Sequence, residues 1–98
     1  MTIMRLQVKF IGFPDLKRMI GSNEVSVEME GNTFGDLLRD LERTYGSPTM
    51  REFMEEKGVV DESVQILRNG REWIHREDMS FPFSDGDHLT FLLMMAGG

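Results

Sequence analysis

Thr33-Phe34-Gly35-Asp36-Leu37-Leu38-Arg39-Asp40-Leu41-Glu42-Arg43-Thr44-Tyr45-Gly46 is the stretch on which the fold turns. Phe34, Leu37, Leu38, Leu41 and Tyr45 fall at i, i+3, i+4, i+7 and i+11, a single stripe along an amphipathic helix. Thr33 is a good N-cap. Asp36, three residues on, stands near the positive end of the helix dipole, and Gly46 stops the helix.

On both sides the period changes from helical to two. Met4, Leu6, Val8 and Phe10 alternate with Arg5, Gln7 and Lys9, the pattern of a half-buried strand. Val25, Val27 and Met29 repeat it, with Ser26, Glu28 and Glu30 outward. Between these runs Pro14 opens and Gly21 closes a short helical turn bearing Leu16, Met19 and Ile20, so the two strands pair most easily as antiparallel neighbours. After the helix, Ser47-Pro48 reads as a cap and first-turn proline of a shorter helix. Met50, Phe53 and Met54 form its apolar side and Gly58 ends it. Val64, Ile66 and Leu67 lead into Asn69-Gly70, a dipeptide suited to a tight hairpin, with Trp73 and Ile74 on the return strand. Residues 76–87 read as loop, with Pro82 and the turn Ser84-Asp85-Gly86-Asp87. The last strand runs from about His88 to Leu93.

A helix crossing between an initial hairpin and a final strand lets that strand lie parallel to the first by a right-handed crossover. The expectation is an α+β chain of the β-grasp (ubiquitin-like) type, with a mixed sheet of four to five strands around one main helix. A ferredoxin-like split fold would need a full helix after the first strand, and Pro14–Gly21 is too short for one. Residues 1–98 read as a single domain with a flexible di-glycine tail at about 94–98.

Composition narrows the function. The 98 residues carry 11 Lys plus Arg against 17 Asp plus Glu, a net charge of −6. The basic residues are scattered, which argues against a nucleic-acid surface or docking on anionic membranes. No cysteine is present, so disulfides, thiolate metal sites and a persulfide on the chain are ruled out. A cytosolic setting fits, and the longest apolar run, Phe91 to Ala96, is far short of a bilayer span. The candidate chemical feature is Ala96-Gly97-Gly98, directly after the last strand. At ~7 % glycine usage, two terminal glycines arise by chance in about one chain in 200. A tail without side chains can enter a narrow channel and present the Gly98 carboxylate to a partner, which must activate it before an amine or sulfide attacks. A frayed terminus is the plain alternative, and these residues alone leave both open. Leu92, Met94, Met95 and Ala96 form an apolar strip leading to the tail, a pattern that marks contact sites, and methionine suits adaptable ones.

Other residues point nowhere specific. His75 and His88 are isolated and read as surface, and no metal site is expected, since zinc wants three or four ligands. Asp85 and Asp87 read as a turn because the rest of a calcium loop is missing. Glu52, Glu55 and Glu56 read as a solvated face, Trp73 as core or rim, and Met4, Met19, Met29, Met50 and Met54 as packing residues.

Four segments resemble a known family. Phe10-Ile11-Gly12 with Asp15-Leu16-Lys17-Arg18-Met19-Ile20-Gly21 is one, and Thr33 to Leu41 through Tyr45-Gly46 is another. Leu67-Arg68-Asn69-Gly70-Arg71-Glu72 is the third. The most specific is Asp85-Gly86-Asp87-His88-Leu89 running on to Ala96-Gly97-Gly98. Together they resemble the ubiquitin-like sulfur carriers, most closely the small subunit of molybdopterin synthase. Family members often carry prolines before the final glycines, where this chain has Leu93-Met94-Met95. The resemblance implies a non-catalytic carrier without a bound cofactor. A ubiquitin-activating-like adenylyltransferase would use ATP-Mg to adenylate Gly98, with Gly97 as the other essential tail residue. Sulfur would replace AMP, and the resulting thiocarboxylate would enter the molybdopterin synthase large subunit. The alternatives are a modifier joined through Gly98 to lysines, a sulfur carrier for thiamine synthesis, and a β-grasp interaction module whose glycines are incidental.

Overall fold

The computed structural model describes residues 3–94. The elements run β1 (Ile3–Ile11), α1 (Pro14–Ile20), β2 (Glu24–Glu30), α2 (Phe34–Tyr45), α3 (Ser47–Met50), β3 (Val64–Arg68), β4 (Glu72–Trp73) and β5 (His88–Leu93). The five strands form one mixed sheet in the order β2-β1-β5-β3-β4. β1 and β2 pair antiparallel, with Leu6 opposite Val27. β5 lies parallel to β1, Phe10 opposite Phe91, and antiparallel to β3, Ile66 opposite Phe91. This is the β-grasp arrangement that the alternating runs and the helical stripe lead one to expect.

Alternation decides which side of the sheet is covered. Met4, Leu6, Val8 and Phe10 of β1 and Leu89 and Phe91 of β5 are buried against α2, which contributes Phe34, Leu37, Leu38 and Leu41. Phe10, Phe53 and Phe91 meet with ring centroids 5.0 to 5.4 Å apart, within the range of favourable aromatic pairs. Thr33 and Asp36 form a reciprocal capping box at the start of α2. Hydrogen bonds from Thr33 and from the Asn32 amide hold the Asp36 carboxyl below its ordinary range despite some desolvation.

The structure departs from the sequence reading in three places. α3 stops at Met50 instead of running on to Gly58, because Met54 pairs with Val60 and the Phe53 carbonyl accepts from the Asp61 amide. Residues 51–60 are therefore a folded-back loop that still delivers Phe53 to the core. Gly46, with no side-chain cap, occupies the N-cap position expected for Ser47. Met19 and Trp73 are surface residues, 46 % and 59 % exposed, because α1 presents Leu16 inward and Trp73 lies on the sheet face away from α2.

Candidate functional site

The expected tail follows β5, so the site begins with how the end of that strand is held. β5 is the middle strand of the sheet. Its last residues are paired on both sides, Leu92 with Ile11 and Leu93 with Val64. One residue on, the Met94 amide donates to the Ser63 carbonyl at 2.9 Å. Ser63 is itself fixed, since its amide and hydroxyl both donate to Asp61 Oδ1, at 2.9 and 2.6 Å. Those bonds hold the Asp61 carboxyl below its usual range against a desolvation effect, with a further contribution from the Arg76 charge. On the other flank the chain leaves β1 through Gly12 at φ +90°, and a Cβ there would come 3.2 Å from the Leu93 Cβ. A side chain at position 12 would thus be strained and would press on the root of the tail. Met94 is therefore held by the backbone bond it donates to the turn at 61–63.

The turn at the opposite end of β5 contains a buried ionic cluster. Asp87 is only 7 % exposed. Its Oδ2 accepts from the Ser84 amide and from Arg68 Nε, both at 2.8 Å, and its Oδ1 accepts from Asn69 Nδ2 at 3.1 Å. Burial disfavours the charged carboxylate, yet the Ser84 amide, the Asn69 side chain and the Arg68 guanidinium outweigh it and keep the carboxyl below its ordinary range. Arg68 also pairs with Glu72 and lies 5.7 Å from the centroid of the Phe81 ring. Asn69 sits at φ 52° and Gly70 at φ 73°, the positive values the hairpin demands. Asp85 binds the Arg5 amide at 2.7 Å, tying the same turn to β1. The pair read from sequence as a turn is thus a clamp between the β3-β4 hairpin and the start of β5. The sequence did not disclose it, because Arg68 and Asp87 are brought together only by the β3-β5 register.

Of the expected site residues, Leu92 is half-buried on the sheet face away from α2, and Met94 is 52 % exposed at the strand's end. Met95, Ala96, Gly97 and Gly98 lie outside the described residues. His75 and His88 are exposed, and among the described residues no three His, Asp or Glu side chains are grouped to hold a metal ion. Nor is any helix of the described residues long and apolar enough to cross a membrane.

Comparison with known proteins agrees with this geometry. The model of the ThiS family matches residues 13–98. Small archaeal modifier protein 3 of Haloferax volcanii is 32 % identical over 96 residues, covering 97 % of this chain and 100 % of that protein. The crystal structure of SAMP1 from Haloferax volcanii superposes with a TM-score of 0.73 at 26 % identity, covering 96 % of this chain and 99 % of the other. A putative molybdopterin converting factor, subunit 1, from Pyrococcus furiosus shares the fold, with a TM-score of 0.62 at 19 % identity over 94 % of this chain and 99 % of that one. The chain therefore belongs to the ThiS family, within the ubiquitin-like group of sulfur carriers and small archaeal modifiers.

Proposed function

We propose that this chain is a non-catalytic carrier whose reactive group is the carboxylate of Gly98. In the first step a carboxylate oxygen attacks the α-phosphorus of ATP on a ubiquitin-activating-like adenylyltransferase, and magnesium pyrophosphate leaves. In the second, a sulfide nucleophile attacks the acyl carbon and AMP departs with that oxygen, so that Gly98 ends as a thiocarboxylate. Its sulfur then goes to molybdopterin assembly in the synthase large subunit, in the cytoplasm. Gly97 and Gly98 contribute a narrow, side-chain-free segment, and Leu92, Met94, Met95 and Ala96 contribute the apolar approach to it. The observation that carries this reading is the family match, which runs through the last strand to both glycines.

A second outlet has its own support in the 32 % identity to a small archaeal modifier protein. In it, a lysine ε-amine displaces AMP and an isopeptide bond forms at Gly98. Intact mass spectrometry of the chain from its native host separates the two outlets. Replacement of one oxygen by sulfur on Gly98 is the expected result for the carrier. For the modifier, tryptic digests would show residues 77–98 attached to acceptor lysines, since no lysine or arginine follows Arg76 in the sequence. A chain that bears neither mark and is not adenylated by the host's activating enzyme would overturn the proposal in favour of a plain interaction module.

A further inference from the structure

Two dipeptides of this chain carry the same chemical weakness. Asn69-Gly70 is its only Asn-Gly and Asp85-Gly86 its only Asp-Gly. In each, the backbone nitrogen of the glycine can attack the side-chain Cγ of the residue before it, because no Cβ obstructs the approach. At asparagine the bond from Cγ to the carboxamide nitrogen then breaks. Ammonia leaves with the proton of the glycine amide, and a five-membered imide remains. Water opens that ring at either carbonyl, giving aspartate or, with the main chain rerouted through Cγ, isoaspartate. Nothing but water is consumed. In an unfolded chain both dipeptides are open to this reaction, and in the fold both belong to the turns that Asp87 and its neighbours tie together.

The clamp holds the reacting atoms of Asn69-Gly70 apart. β3 lies between β5 and β4. The Asn69 carboxamide leans to the β5 flank, where its Oδ1 accepts from the His88 amide at 2.8 Å and its Nδ2 donates to Asp87 Oδ1 at 3.1 Å. The Asn69 amide donates to the His88 carbonyl on the same flank, at 2.7 Å. Gly70 instead carries the chain towards β4, through a turn closed by the Arg71 amide on the Arg68 carbonyl at 3.1 Å. For attack, Cγ must swing towards Gly70, and both carboxamide bonds must break first. At Asp85-Gly86 the block falls on the nucleophile. The Gly86 amide donates to the Arg5 carbonyl at 2.7 Å, and Asp85 Oδ1 accepts from the Arg5 amide at 2.7 Å. The hairpin turn demands a positive φ, 52° at Asn69, which asparagine and glycine meet best. Glycine there would be free of the hazard and would give up both carboxamide bonds.

From this we infer that Asn69 is a modification site, a succinimide-forming asparagine that the Asp87 clamp keeps unreactive, and that its conversion marks chains in which the clamp has opened. The mark is permanent. Aspartate at 69 puts a second carboxylate where Nδ2 now meets the buried Asp87, and like charges so close repel. Isoaspartate adds a methylene to the main chain of the hairpin turn. Either product stops the clamp from closing as before, so one opening that ends in reaction favours the next. The inference holds whichever outlet the Gly98 carboxylate serves.

The test incubates the full chain in mildly alkaline buffer and follows the mass of residues 63–72, released by cleavage after glutamate. Conversion replaces the NH2 of Asn69 by OH, which that mass records. The native chain should convert at least about tenfold more slowly than the chain unfolded in guanidinium chloride, because reaction waits on an opening that is rarely populated. Asp87→Asn should convert at least about tenfold faster than native wild type while its circular dichroism stays that of a folded chain. Asn69→Asp makes one product directly and should lower the melting temperature by about 5 °C or more. Equal rates in the native and unfolded chains would overturn the proposal, since the fold would then give no protection. A folded Asp87→Asn that converts no faster than wild type would also overturn it, by giving the protection to the hairpin turn alone. Should Asp87→Asn fail to fold, Asn69→Asp decides, because an unchanged melting temperature would show that the clamp closes equally well on the product.

Discussion

Replacing Asp87 by Asn removes one charge from the clamp while keeping its shape, and the hydrogen bonds around it set the cost. Asp87 Oδ2 serves two donors, the Ser84 amide and Arg68 Nε, so the amide oxygen of the variant would be kept there. The new NH2 group would then face Asn69 Nδ2, which now donates to Oδ1. Asn69 cannot answer by turning over, because its own Oδ1 accepts from the His88 amide at 2.8 Å. One hydrogen bond is therefore replaced by two opposed donors, about 1 kcal/mol, and the Arg68 bond falls from charge-assisted to ordinary strength, about 1–1.5 kcal/mol more. Arg68 keeps Glu72 and some contact with water, which limits the penalty on the guanidinium. The sum is a loss of about 2–2.5 kcal/mol, or roughly 8–20 °C in melting temperature for a domain of this size. The pH dependence gives an independent check. A carboxyl held below its ordinary value adds stability that is present at neutral pH and drains away as pH falls through and below about 4. Urea denaturation of both proteins at pH 7 and pH 3 should show a gap that narrows sharply in acid, since Asp36 and Asp61 act equally in both. A gap under about 0.5 kcal/mol at pH 7, or one of equal size at pH 3, would refute the account of the clamp.

Other outcomes follow from the same structure. Gly12→Val should destabilise the chain by about 2 kcal/mol, from a positive φ and a Cβ set against Leu93, and its melting curve checks this. The same variant should speed amide exchange at Met94, whose bond to Ser63 depends on where the strand end lies. Thr33→Ala removes one arm of the capping box and should cost about 1 kcal/mol in urea denaturation, with the sheet unchanged by circular dichroism. Met94→Glu puts a charge on an exposed apolar residue at the root of the tail. It should raise KM for the chain in ATP-pyrophosphate exchange by the host's adenylating enzyme while leaving the melting temperature within a few degrees, and unchanged KM would remove Met94 from the contact.

Much of the architecture was legible because each element has an unambiguous period. Met4 to Phe10 alternate, Phe34 to Tyr45 follow a helical stripe, and Asn69-Gly70 names its own turn. The loop after α3 was not legible, because Met50, Phe53 and Met54 have helical spacing. That spacing is equally satisfied by successive turns, which the pairing of Met54 with Val60 and the Asp61 bond to Phe53 favour. Trp73 and Met19 were misplaced for a related reason, since apolar character marks what can be buried and not which face a short element turns inward. The carboxylate of Asp87 lay hidden in an ordinary turn motif because its partners sit 18 and 19 positions away and meet it only once β3 and β5 are in register. For the site, the tail itself was plain in the sequence, whereas the bond from the Met94 amide to the Ser63 carbonyl joins distant positions that only the pairing of β5 with β3 brings together.

The place of β5 in the sheet has a mechanical consequence. Because the strand that leads to the tail runs between β1 and β3, a pull on the tail acts along the strand and loads the backbone bonds on both of its flanks together. A strand at the edge could be peeled away one bond at a time. Here the ladders must shear as a group, with the Phe10-Phe91 stack resisting the slide. A machine that grips the Gly98 end to unfold the domain would meet its largest resistance at the very first step, before any of the chain had come free.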